Sequence, residues 1–172
     1  SDINPGRLEY VKKIMKVSCP GFIDFEQMVR ETKPDYVIVT TVDATHDEFI
    51  VKALDMGVKK KKKKPMTTDE VKCKAILEAE KRSGKKVIVA FNYRHSVHNM
   101  QLKELLAAER VGKITSVDFH WYLNVYHGAD YFRRWHGRMN KSGSLWVHKA
   151  THHFDLLNWW VNSEPVEVSA YG

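Results

Sequence analysis

Three histidines, a lysine and an aspartate fall within eight residues, His148-Lys149-Ala150-Thr151-His152-His153-Phe154-Asp155, just ahead of a largely apolar run ending in Trp159-Trp160. His148, His152 and Asp155 are spaced i, i+4 and i+7, so a helix carrying them shows all three on one face. Imidazole and carboxylate groups on one face can take and return a proton, and i, i+4 histidines can also hold zinc. Such a stripe is costly to bury unless it is paired or bound to something. The plain alternative is a helix start whose histidines are solvated or hydrogen-bonded. Hydrolysis at a metal held by His148, His152 and Asp155 is the weaker chemistry. Lys149 follows His148 where the HExxH pattern needs a glutamate, and an ammonium there disfavours a cation, so no metal site is expected.

The rest of the chain must position these groups. Tyr36 to Thr41 is a short apolar, β-branched run that reads as a buried parallel strand. Thr45 to Met56 carries Phe49, Ile50, Ala53 and Leu54 at helical spacing, with Gly57 as the stop. After Pro65, Thr67 and Glu70 suggest a capping box, and Val71, Ala75, Ile76 and Ala79 a buried stripe running to Gly84. Lys86 to Phe91 is again a short apolar strand. Strand, helix, helix, strand predicts a doubly wound α/β sheet, and that fold wants a further strand at about Val58 to Lys63. The chain offers Lys59 to Lys64 there, and lysine is a poor strand former. Local sequence and global pattern disagree at this one place. Beyond Arg94, Met100 to Ala108 is expected to be a helix with Leu102, Leu105 and Leu106 on one face. Ile114 to Val125 alternates like a half-buried antiparallel strand. A boundary near residues 94 to 97 gives two domains, 1–95 and 96–172.

Composition excludes several classes. Hydrophobic residues make up 43% and aromatics 11% of the 172 residues, enough for a core. The formal net charge is +7, but the lysine run supplies six of those charges and leaves +1 for the remainder. One local run without interleaved aromatics is not a nucleic-acid footprint, so no nucleic-acid partner is expected. No apolar run approaches the roughly 20 residues that span a bilayer, and no signal-peptide pattern opens the chain. Cys19 and Cys73, without a CxxC partner, read as buried or half-buried free thiols. A cytoplasmic location is expected.

Four motifs stand in register: Asp35-Tyr-Val-Ile-Val-Thr-Thr-Val-Asp-Ala-Thr-His46, Lys64-Pro65-Met66, Phe91-Asn92-Tyr93-Arg94, and Gly143 through His152-His153-Phe-Asp155 to Trp159. In order and spacing they resemble the NAD(P)-dependent glucose–fructose oxidoreductase / inositol dehydrogenase (Gfo/Idh/MocA) family over essentially the whole chain. The resemblance implies a partial Rossmann-like doubly wound parallel sheet, followed by the start of an α/β (α+β) substrate domain with an open sheet. It implies hydride exchange between NAD (NADP possible) and a sugar, cyclitol or related polyol, and a homo-oligomer. Lys64 matches the family's Glu-Lys-Pro lysine, which lies beside nicotinamide and substrate, where an ammonium can stabilise a developing alkoxide. His152 matches the catalytic histidine, with His148 as its partner. Asp2 matches the ribose-binding acid. Thr40, Thr41 and His46, at the carboxyl end of a parallel strand, and Asn92 and Arg94 after the next, are the remaining cofactor candidates. His148, Lys149, Asp155 and Trp135 are the substrate candidates. Trp135 belongs to an aromatic group with Trp121, Tyr122, Tyr126, Tyr131 and His136, flanked by Arg133 and Arg134, that suits sugar recognition. An NAD-dependent glycosidase of the same superfamily is the alternative.

The sequence departs from the family pattern in three ways. Lys63 replaces the glutamate of Glu-Lys-Pro, His148 stands where the family often has aspartate, and no GxGxxG occurs anywhere. The last departure suggests a chain that begins after the glycine loop, with Ser1 to Asn4 as the end of a second strand, and that also stops short of a complete second domain.

Overall fold

The computed structural model describes residues 1–58, 60–62 and 65–171. The chain forms two compact units, Ser1–Val89 and Ala90–Gly172.

The first unit is built on a parallel sheet of three strands, β1 (Tyr36–Ile38), β2 (Lys60–Lys62) and β3 (Lys86–Ile88), in the order β1-β2-β3. The lysine run therefore does supply the missing strand, in the central position: Lys61 pairs with Val37 on one side and Val87 on the other. Flanking strands that offer unpaired N–H and C=O groups impose this geometry on a sequence of poor intrinsic propensity. Helices α1 (Pro5–Met15), α2 (Phe25–Thr32), α3 (His46–Asp55) and α4 (Glu70–Ser83) complete the unit. Val29 of α2, Ile50, Ala53 and Leu54 of α3, and Ile76 and Ala79 of α4 pack with Val37, Val39 and Val58 in one core.

Several expectations are corrected here. β1 buries Val37 but leaves Tyr36 and Ile38 exposed, because α2, α3 and α4 share a single core with Val37. On α4, Val71 and Ala75 are exposed and only Ile76 and Ala79 are buried. The α4 N-cap is Asp69, whose carboxylate accepts from the Lys72 N–H at 3.0 Å, and not Thr67. A carboxylate at this end also meets the positive pole of the helix. Thr67 is buried instead, its hydroxyl 3.5 Å from Asp47 Oδ1. Gly57 (φ +84°) and Gly84 (φ +62°) end α3 and α4 in left-handed conformations that a side chain would strain. Ser1 to Asn4 is not a strand; Asn4 caps α1, its side chain accepting from the Arg7 N–H at 3.2 Å. Cys19 is exposed, whereas Cys73 is half-buried. Burial, and then the charges of Asp69, Asp47 and Glu70, push the Cys73 thiol up from its ordinary value.

The register at β2 makes a testable prediction. Position 61 is the middle of the register, paired with Val37 on one side and Val87 on the other. A β-branched residue suits a central strand better than lysine does, so Lys61→Ile is expected to stabilise the protein by about 1 kcal/mol. The rise in melting temperature of the variant in a calorimetric scan checks this, and an unchanged or lower value overturns it.

The second unit is helical: α5 (Val97–Ala107), α6 (Val125–Arg133), α7 (Met139–Ser142) and α8 (Thr151–Val161), with 3-10 turns at Asn92–His95 and Trp135–Gly137. The helix expected at Met100 begins at Val97. Its leucine face is not a buried stripe, since Leu102 and Leu105 are exposed. α5 is tied down by polar contacts: buried Asn99 donates to the Tyr93 carbonyl at 2.8 Å, and Trp160 Nε1 donates to the Asn99 carbonyl at 3.2 Å. Residues 114–124 are not a strand, because no described segment of this unit lies alongside to complete a ladder, and Val125 already begins α6. No described helix is long and apolar enough to cross a membrane.

Candidate functional site

In the first unit the candidates gather where the chain leaves its parallel strands. Thr40 and Thr41, just after β1, are exposed. The hydroxyls of Thr41 and Thr45 are 3.0 Å apart, and Thr45 also donates to the Val42 carbonyl at 2.8 Å, which tightens the turn into a 3-10 segment, Asp43–Thr45. His46 is 0% exposed: Nδ1 lies 3.0 Å from the Pro65 carbonyl oxygen and Nε2 3.0 Å from that of Thr41. Asp2 accepts from the Asn4 N–H at 2.9 Å and from Arg7 at 3.1 Å. The Asn4 amide, and after it the Arg7 guanidinium, hold its carboxyl below the usual range despite partial burial, so Asp2 is an anion at neutral pH. Lys64 lies outside the described residues.

In the second unit the polar stripe is carried on two kinds of helix. Trp146–Ala150 is a π-helical turn, and α8 follows it directly. The expected single α-helical face is thus interrupted between His148 and His152, because a π turn admits one more residue per turn. The unit brings these residues into two groups. His148 packs with Tyr131, Trp135 and His136, at ring separations of 5.4, 5.7 and 4.7 Å, and Trp135 stacks on His136 at 3.9 Å. His152, 8% exposed, stacks on Tyr93 at 4.3 Å with a 12° tilt between the rings. Lys149 is buried beside the same tyrosine: its ammonium donates to Tyr93 Oη at 2.6 Å and lies 5.1 Å from the ring centre. Asp155 takes two hydrogen bonds from Arg94, Nε at 2.7 Å and Nη2 at 2.5 Å. Asn92 is exposed.

Tyr93 was not singled out by sequence reasoning, although it lies inside the Phe91–Arg94 motif; an aromatic between two polar candidates at a strand's end is the signal that points to it. Among the described residues no cluster of three or more His, Cys, Asp or Glu side chains is placed to hold a metal. Asp155 is committed to Arg94, which removes the third ligand from the metal reading.

Known proteins place the chain. The family model described as the oxidoreductase-family NAD-binding Rossmann fold matches residues 1–91, and that of the family's C-terminal alpha/beta domain matches residues 103–172. YteT of Bacillus subtilis (strain 168) is 45% identical over 175 residues, a match covering 99% of this chain and 41% of that protein. The inositol 2-dehydrogenase/D-chiro-inositol 3-dehydrogenase of Lactiplantibacillus plantarum is 23% identical, over 99% of this chain and 46% of its own length. The folds agree as well. Myo-inositol 2-dehydrogenase from Lactobacillus plantarum superposes with a TM-score of 0.79 at 17% identity, over 96% of this chain and 48% of that one. The WlbA dehydrogenase from Chromobacterium violaceum, crystallised with NADH and UDP-GlcNAcA, gives 0.77 at 23% identity, over 93% and 46%. The chain spans less than half the length of each of these proteins. With both domain models matched in order along its length, this chain belongs to the Gfo/Idh/MocA oxidoreductase family.

Proposed function

We propose that the protein is a nicotinamide-dependent dehydrogenase that removes or returns a hydride at a carbinol carbon of a sugar, cyclitol or related polyol. The observation that carries this reading is His152, buried on α8 and stacked on a tyrosine that a buried lysine holds in place. A ring so fixed suits a general base that takes the hydroxyl proton as hydride leaves. Lys64 is the second catalytic group of the proposal, a reading supported by its match to the family's lysine. His148 and Trp135, within their aromatic group, and Lys149 and Asp155 around His152 form the substrate side. Thr40, Thr41, Asn92 and Arg94 belong to the cofactor side. NAD, when bound, supplies the hydride acceptor. Asp2 favours NAD over NADP, because an ionised carboxylate accepts from a ribose 2′-hydroxyl and repels a 2′-phosphate. A homo-oligomer and a cytoplasmic location complete the proposal.

The test is the full-length protein incubated with NAD and a panel of cyclitols, aldoses and nucleotide sugars. Growth of the reduced-nicotinamide absorbance with one class of polyol is the expected outcome. Cleavage of a glycoside with no net change in that absorbance moves the reading to the superfamily's glycosidases, and silence across the panel overturns it.

A further inference from the structure

His46 opens α3 with no exposed surface, and both of its ring nitrogens face oxygen atoms that can only accept. Nδ1 is 3.0 Å from the Pro65 carbonyl and Nε2 is 3.0 Å from the Thr41 carbonyl. A neutral imidazole carries one N–H and one lone pair, so it can satisfy only one of these carbonyls. The other contact then sets a lone pair against a carbonyl oxygen, with water excluded, which costs more than a missing bond. The imidazolium satisfies both. Its charge has a partner: Asp43, 1% exposed, lies 3.7 Å from Nε2.

We propose that His46 is a buried imidazolium that clamps the turn after β1 to Pro65, and that it acts as a positioning residue and not as a direct contact of the cofactor. The described charged groups near it come from three elements. Asp43 from the 3-10 turn and Asp47 from α3 are negative. Lys72 from α4 is positive; its ammonium donates to the Ala44 carbonyl and sits 3.5 Å from Asp47. With His46 cationic, these described groups carry two charges of each sign. The Asp47 and Lys72 side chains, 23% and 30% exposed, reach solvent, so the charge that faces the ring inside the buried region is that of Asp43.

The position of the clamp gives it a role. Thr41 follows β1 and Pro65 follows β2, two adjacent strands of a parallel sheet. Ligands of such sheets bind beyond the carboxyl ends of the strands. A two-ended donor fixes the backbone of both segments with a single ring, and neither threonine after β1 need spend its own side chain on that task. The role, though not the protonation state, rests on the dehydrogenase reading above.

The experiment is a long-range proton–nitrogen correlation of the His46 ring in the full-length protein without cofactor, from about pH 6 to about pH 9. Both ring nitrogens are expected to be protonated at neutral pH, and Asp43→Asn is expected to make one proton leave at lower pH than in the unchanged protein. A single protonated nitrogen at neutral pH overturns the proposal. A second measurement reads the clamp itself. His46→Phe keeps a ring but donates nothing, and hydrogen exchange at the backbone amides of positions 45 and 46, which close the 3-10 turn, is expected to rise about tenfold. Unchanged exchange in that variant also overturns it. Neither readout uses NAD, so a protein that keeps the imidazolium yet binds no cofactor sinks the functional reading alone.

Discussion

An Arg94→Leu variant is expected to lose about 3 kcal/mol of stability, and an Asp155→Asn variant only about 1 kcal/mol. The asymmetry follows from exposure. The Asp155 side chain is 9% exposed and the Arg94 side chain 38% exposed, although they share the same two hydrogen bonds. Removing the arginine strands a carboxylate away from water. Removing the carboxylate's charge leaves a guanidinium that reaches solvent, so only the pairing is lost and solvent screens much of that. Arg94→Leu also removes the cation 5.7 Å above the Trp159 ring. The pair joins the 3-10 turn at Asn92–His95 to α8, and the lost stability should therefore appear in the melting of the second unit. Equal losses for the two variants would overturn the argument. The double variant Arg94→Leu/Asp155→Leu should recover part of the first loss, because no charge remains buried.

The same contrast between buried and reachable charge explains what the sequence made legible and what it hid. β1, α3, α4 and the glycines that close the two helices follow from runs, periods and turn chemistry, all of which are local. The central strand at Lys60–Lys62 is not local. Six lysines argue against a strand, and only the pairing demand of Val37 and Val87 on either side puts one there. Residues 114–124 fail in the opposite sense, since the alternation is present and no partner strand lies among the described residues. The exposed Leu102 and Leu105 carry the same lesson: a stripe predicts a buried face only if something lies against it. At the candidate site, the types and order of His148, Lys149, His152 and Asp155 could be read directly. Their grouping could not, because the π turn at Trp146–Ala150 breaks the α-helical spacing on which the expectation rested. Neither could the burial of His46, since a histidine at a helix start is ordinarily solvated and the Pro65 carbonyl that faces it lies 19 residues away in sequence.

Replacing His152 with asparagine in the full-length protein is expected to lower kcat by about two to four orders of magnitude while leaving KM for NAD within about twofold. The imidazole is 8% exposed, and its stack on Tyr93 at 4.3 Å leaves it little freedom to turn. If His152 is the base proposed above, it contributes through proton removal in the transition state and not through ground-state binding, so the loss should fall on kcat. Asparagine keeps polarity and a comparable size but cannot accept and hold a proton, so the variant should also lose the acidic limb of the rate–pH profile. Lys149→Met tests the support of the ring; because Lys149 is also proposed on the substrate side, its effect is read in the pH profile and not in the size of the rate loss. Without the ammonium at 2.6 Å, Tyr93 loses its tether and the stacked ring its fixed partner, yet the base itself remains. A fall of about tenfold in kcat with the acidic limb intact is expected for that variant. If His152→Asn keeps both its rate and its pH profile, the stacked imidazole is structural and the proton leaves by another group. If the two variants lose rate equally and Lys149→Met also loses the acidic limb, the lysine is itself a proton carrier, and the roles assigned along this helix must be exchanged.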